Sequence, residues 1–229
     1  MDTHKEFLSP DTAASRDRPA RVDTISSACG GVALVGVATI TVICLAVQFL
    51  RTDLNWITTE MSIYVIGPWG SFVQASFFAP APGVAAIGFA WHRTLLRREP
   101  GSLASFALFV AAGVALCVTG AFIPDETAWP VTLHGAIHQW AAFGTFVFVT
   151  TAMVLQSWWF RYDPHWRKHF PGAFALAMVT IVYFWIYALI KPIPRGIGEK
   201  VVIGLVLLWV WRAAWWLVRD RSHVARRPG

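Results

Sequence analysis

The sequence predicts an all-α fold, a polytopic integral membrane bundle of six transmembrane helices with both termini cytoplasmic. Three observations predict it. The 229 residues are 56% hydrophobic and 14% charged, the reverse of the balance in a soluble domain. Six apolar runs reach the roughly 20 residues that a helix needs to cross a hydrocarbon core, where each backbone polar group must be satisfied within its own helix. Fourteen of the 19 basic residues fall on one side of those six runs, and that side is the cytoplasm.

Taken in order, residues 1–26 form a cytoplasmic tail in which Lys5, Arg16, Arg18 and Arg21 mix with acids, and no fixed structure is expected there. The apolar run after it is too long for a signal-peptide core, so the first helix is expected to stay uncleaved. The transmembrane domain covers 27–218. Its helices are expected over Ala28–Leu50, Pro68–Trp91, Ser102–Ile123, Val131–Trp159, Ala173–Ile190 and Val201–Val218, joined by short loops and packed antiparallel as three hairpins. Residues 219–229 form a basic cytoplasmic tail.

The orientation rests on named charges. One side carries the four tail residues, then Arg93, Arg97, Arg98, Arg161, Arg167, Lys168, Arg219, Arg221, Arg226 and Arg227; the other carries Arg51, Lys191, Arg195 and Lys200. Arg212 lies within the last helix and would snorkel toward the basic side. The net charge of +6 is thus a topology signal scattered between apolar runs and excludes nucleic acid as a partner. Cys29, Cys44 and Cys117 all sit inside apolar runs, with no spacing for a disulfide or a thiolate metal site. Trp56, Trp69, Trp129, Trp158, Trp159, Trp215 and Trp216 fall at helix ends, as an aromatic belt does. Trp140, Trp185 and Trp209 fall deeper, where helix packing is expected.

Most remaining polar groups gather on the extracytoplasmic side. The sharpest pattern is His134-Gly-Ala-Ile-His138, because residues four apart project from one helix face and two imidazoles so placed can share a metal or a proton. Asp125, Glu126 and Glu60 are the carboxylates near enough to complete a site, and zinc is the divalent metal such a set would take. The bland alternative is that both rings cap the outer end of the bundle, with Pro130 starting the helix. Glu60, Ser62 and Tyr64 precede Gly67-Pro68 and predict a short interfacial helix, either a lid over a pocket or a packed connector. Pro80 and Pro82 predict a kink in the second helix. Gly113, Cys117 and Gly120 predict close helix approach on the third. Tyr183, Tyr187 and Gln74 could reach the same outer pocket. The histidines of the other side, His92, His165, His169 and His223, are expected to contact lipid headgroups.

The order of these motifs resembles the bacterial six-helix membrane proteins grouped as domain of unknown function 998. The resemblance rests on Phe49-Leu-Arg-Thr-Asp53, Ser62-Ile-Tyr-Val-Ile-Gly-Pro-Trp-Gly70, Phe122-Ile-Pro-Asp125, His134-Gly-Ala-Ile-His138 and Arg195-Gly-Ile-Gly-Glu199. It implies a multi-pass protein of the bacterial plasma membrane and no particular activity. A looser similarity is to alkaline ceramidase and related membrane hydrolases, which use a His-x-x-x-His pair around zinc; here a third histidine on that side and a seventh helix are missing.

The resulting expectation is a protein whose outward pocket, lined by Glu60, Ser62, Tyr64, Asp125, His134, His138, Arg195 and Glu199, binds a small polar molecule, a lipid headgroup or protons. A histidine pair there could also report external pH. The alternatives are a metal-dependent hydrolase acting on a lipid, with His134, His138 and Asp125 as ligands and Glu60 as base, and a small transporter built on the second-helix kink.

Overall fold

A computed structural model describes residues 22–95, 100–126, 130–190 and 192–225. Lys5, Arg16, Arg18, Arg21, Arg97, Arg98, Trp129, Lys191, Arg226 and Arg227, on which part of the charge and aromatic reading rests, lie outside those residues. The described elements are helical: α1 (Thr24–Leu50), a one-turn 3-10 helix (Met61–Val65), α2 (Gly70–Phe78), α3 (Pro80–Thr94), α4 (Pro100–Ala121), α5 (Leu133–Phe160), a 3-10 turn (Arg167–His169), α6 (Phe170–Leu189) and α7 (Arg195–Ala225). Six spans are long and apolar enough to cross a membrane, the second being α2 and α3 together, Gly70–Thr94.

Local chemistry explains where these helices begin. The α1 helix starts four residues earlier than expected because Asp23 caps it, its carboxylate accepting from Ser26 N–H at 2.7 Å. The α5 helix starts after Pro130, since Thr132 is the cap, accepting from Gly135 N–H at 3.0 Å. Pro171 in its first turn lets α6 begin at Phe170. The predicted kink resolves to a single interruption at Ala79, which keeps helical dihedrals. Pro80 and Pro82 have no N–H to donate one turn back, and the ladder breaks there.

Each span packs on its sequence neighbours and the first packs on the last, so the six close into a ring. The end of the ring that carries both termini is filled. Trp91, Phe109, Phe160, Trp166 and Trp209 are all fully buried there with Met153 and Leu217. Polar groups join this packing: Ser105 donates to Gln156 at 2.7 Å and Trp209 to Ser157 at 3.1 Å. His165 pairs with Asp220 at 2.9 Å, His92 with Ser102 at 2.9 Å, and the His169 ring stacks on Trp216 at 4.2 Å. These three histidines therefore tie helices together at this end. Trp140 and Trp185 are exposed on the outer wall, 73% and 42%, sharing Phe143 as a ring partner, while Trp209 is the buried packing residue that the sequence suggests.

The opposite, far end carries the loop 51–69 and residues 122–126 and 130–132. Close approach there and at mid-depth depends on glycine. A Cβ on Gly113 would lie 2.8 Å from Ala81 O, and one on Gly120 would lie 3.0 Å from the Phe78 ring, so the small-residue stripe of α4 meets the second span.

Candidate functional site

The far end is built around Arg51, the cap residue of α1. Its guanidinium, 6% exposed, grips Asp53 through Nε and Nη2 at 2.8–3.1 Å and donates from Nη1 to Ile66 O at 2.6 Å and Pro68 O at 3.3 Å. These bonds hold the Asp53 carboxyl below its ordinary range and the Arg51 guanidinium above its own. The chain between them turns sharply, with Gly67 at φ +86° and Trp69 at φ +65°. Gly70 is obligatory because a Cβ would sit 1.9 Å from Val65 O. The motif that enters the second span is therefore a rigid plate folded over the bundle.

The start of α7 receives that plate. Ile197 N–H donates to Ile57 O at 2.9 Å. Lys200 Nζ donates to Trp56 O and Thr59 O at 2.8 and 2.7 Å. Glu199 accepts from Met61 N–H at 2.5 Å. Gly196 admits the loop, since a Cβ there would lie 2.4 Å from Thr59 O, and Gly198 admits the Tyr187 ring at the same separation. Glu60 accepts from Tyr187 Oη at 3.4 Å, and the Arg195 guanidinium lies 5.4 Å from the Tyr187 ring centre. Tyr64 is fully buried and donates to Gln48 at 3.1 Å, and burial pushes its phenol above the ordinary range.

Asp125, His134 and His138 form a second group around the start of α5. Asp125 accepts from Thr132 N–H at 2.9 Å and Thr132 Oγ1 at 2.6 Å, which lowers its carboxyl from the ordinary range. A Cβ on Gly135 would overlap that carboxylate at 2.0 Å, which explains the glycine between the histidines. His134 is exposed, its ring 5.2 Å from Phe122. His138, one turn deeper, is 4% exposed. Its Nδ1 lies 2.9 Å from Thr119 O and 2.8 Å from Phe122 O, and two carbonyl acceptors fix the hydrogen on that nitrogen. Its Nε2 is buried with no hydrogen-bond partner among the described residues.

A cavity lies inside the ring beneath the plate, with about 100 Å³ open to the centre of a water-sized sphere. That is several times what one water requires. Its wall is mostly aliphatic, drawn from α1, the second span, α4, α5 and α7, with Pro80 beside the interruption. Ser62, His138 and Glu199 are its polar walls from the sequence-predicted set, joined by Thr119 and Thr145.

Three of the eight predicted residues thus share one cavity. Glu60 and Tyr64 tie the plate to Tyr187 and Gln48, Arg195 lies against Tyr187, and Asp125 and His134 stand at the start of α5. Gln74 does not reach the cavity but donates to Gly120 O at 2.9 Å. Among the described residues, no group of three or more His, Cys, Asp or Glu is placed to hold a metal. His134, His138 and Asp125 are not gathered into one such group, and the Asp125 carboxylate is turned onto Thr132. Arg51 and Lys200 carry the far end yet read in the sequence only as outer charges, since the backbone carbonyls they hold are remote in the chain.

The family model described as a protein of unknown function (DUF998) matches residues 33–216. The chain belongs to this family. The match covers all five motifs and reaches into all six spans of this DUF998 protein, so the plate, the α5 cap and the cavity lie within the family region. No curated protein and no solved structure matches the chain.

Proposed function

We propose that this DUF998 protein binds a small amphipathic molecule within the membrane, in the cavity beneath the plate. The observation that carries the reading is the cavity itself: an aliphatic space inside a closed helical ring, with Ser62, His138 and Glu199 as its polar walls. Ligand sites have this composition, a mainly apolar wall with few polar groups to fix orientation. An empty space of this size would otherwise cost packing contacts on every side. The charge count supports an orientation with the plate and cavity mouth on the extracytoplasmic side of a plasma membrane and both termini in the cytoplasm. Helices of this length and apolarity contact the lipid bilayer directly, which supplies amphiphiles at high local concentration.

Two measurements test this. Organic extraction of purified protein should release about one amphiphile per chain from the wild type and far less from Ala142→Phe, which fills the cavity from α5; equal amounts would end the reading. Cysteines placed at Glu126 and after Gly229, in a background without the native three, should label from outside and only after permeabilisation, respectively. The opposite pattern inverts the topology.

A further inference from the structure

Resting on that reading, we infer that the cavity selects a single-chain amphiphile with an uncharged hydroxyl head, which donates its hydrogen bond to His138 Nε2. The argument begins with the tautomer. Both Thr119 O and Phe122 O accept at Nδ1, so the neutral ring keeps its hydrogen there and presents a lone pair at Nε2. That lone pair is buried and unpartnered among the described residues, in a ring that forms part of the cavity wall. A buried acceptor without a donor costs free energy comparable to a lost hydrogen bond. A ligand that brings a donor recovers it, and one that brings only an acceptor does not.

The charge of the head follows from the neighbours. Glu199 is on the same wall, so an anionic head would face a carboxylate. Any charged head would also pay far more than a hydroxyl to leave water for an aliphatic wall. The tail follows from the remainder of the lining, where Val37, Ile40, Leu116, Val149, Ile203 and Val210 offer only hydrocarbon. A straight alkyl chain suits such a wall.

The test uses the full-length protein in nanodiscs, with tritiated octan-1-ol as the probe and empty nanodiscs as the blank. Saturable binding near one per chain is expected, displaced at least tenfold more effectively by unlabelled octan-1-ol than by octane, octylamine or octanoate. His138→Phe should bind octane as well as octan-1-ol does, losing the tenfold preference, whereas Thr145→Val on the same wall should keep it. If octane, octylamine or octanoate competes as well as the alcohol in the wild type, the hydroxyl inference fails while saturable binding keeps the cavity reading. If no probe binds saturably, or Ala142→Phe binds like the wild type, the cavity reading fails with it. Should His138→Phe not fold, the wild-type competition series alone decides the selectivity.

Discussion

At the end that carries the termini, Trp91 packs between Phe160 and Trp166, with ring centres 4.6 Å away on both sides. At the far end, the charged groups of Arg51, Glu199 and Lys200 reach backbone atoms of residues 56–68. The first region is solid, with side chain locked against side chain. The second is a lid of loop pinned by charge-assisted bonds over a space that side chains leave open. Hydrocarbon attraction gives little reason for helices to associate inside a bilayer, so aromatic packing holds one end. The freed backbone groups of an irregular loop demand cations and a carboxylate at the other.

That contrast can be broken by substitution, with stability measured by thermal or denaturant unfolding of the purified protein. Trp91→Ala should produce the largest loss, about 3 kcal/mol, as deletion of a fully buried aromatic from a packed centre does. A small loss would mean that the filled end is looser than its contacts indicate. Arg51→Met should cost about 2 kcal/mol by stranding Ile66 O and Pro68 O, and Arg51→Lys should recover only part, because an ammonium cannot reproduce the fork. Full recovery by lysine would show that charge alone holds the plate.

The next test places one substitution in both regions of the same helix. Ala152 is fully buried in the packed end and Ala142 lines the cavity. Ala152→Leu should cost about 1–2 kcal/mol through overpacking, whereas Ala142→Leu should change stability by less than about 0.5 kcal/mol. Equal costs would say that the cavity closes up in solution.

The smallest effect concerns Asp23, whose carboxyl is held at about 2 by Arg93 at 2.7 Å and by the Ser26 N–H. A carboxyl depressed in the folded state contributes stability above its unfolded range, and the contribution is lost as pH falls from about 4 through 2. The pair is more than a third exposed, so solvent screening limits the ion pair to under about 1 kcal/mol. Asp23→Asn, which keeps an acceptor for the cap, should show this deficit at pH 7 and converge on the wild type only as pH falls to about 2 and below. A deficit independent of pH would rule out the ion pair as its source.

The six spans were legible because length and hydropathy are local properties of the chain. The interfacial turn at Met61–Val65 was legible for the same reason, since Gly67-Pro68 follows it directly. The histidine spacing put His134 and His138 on one helix face, but burial of one ring and exposure of the other depends on how α4 lies beside α5. Arg51 looked like an outer topology charge because, apart from Asp53 two residues on, its acceptors are backbone carbonyls 15 and 17 residues away. Likewise, His165 and Asp220 are separated by 55 residues, and nothing in either neighbourhood announces the pair. The glycines of the α7 motif carried no chemistry in the sequence; their reason is the loop backbone and the Tyr187 ring that press on them.

The interruption at Ala79 has the character of a keystone. Gly36 of α1 would bring a Cβ to 2.6 Å from Ala79 O, Gly83 to 2.7 Å from Ala33 Cα, and Gly113 to 2.8 Å from Ala81 O. Glycines on three spans thus bring α1 and α4 against the backbone of residues 79–83, where Pro80 and Pro82 have no N–H for the ladder. A proline pair commonly suggests a place where a helix could swing, but this one is wedged from both sides by main chain that cannot yield. Random mutagenesis should therefore find the vault of the cavity tolerant along its aliphatic wall and brittle at these three glycines, where a single methyl group would be felt by half the ring.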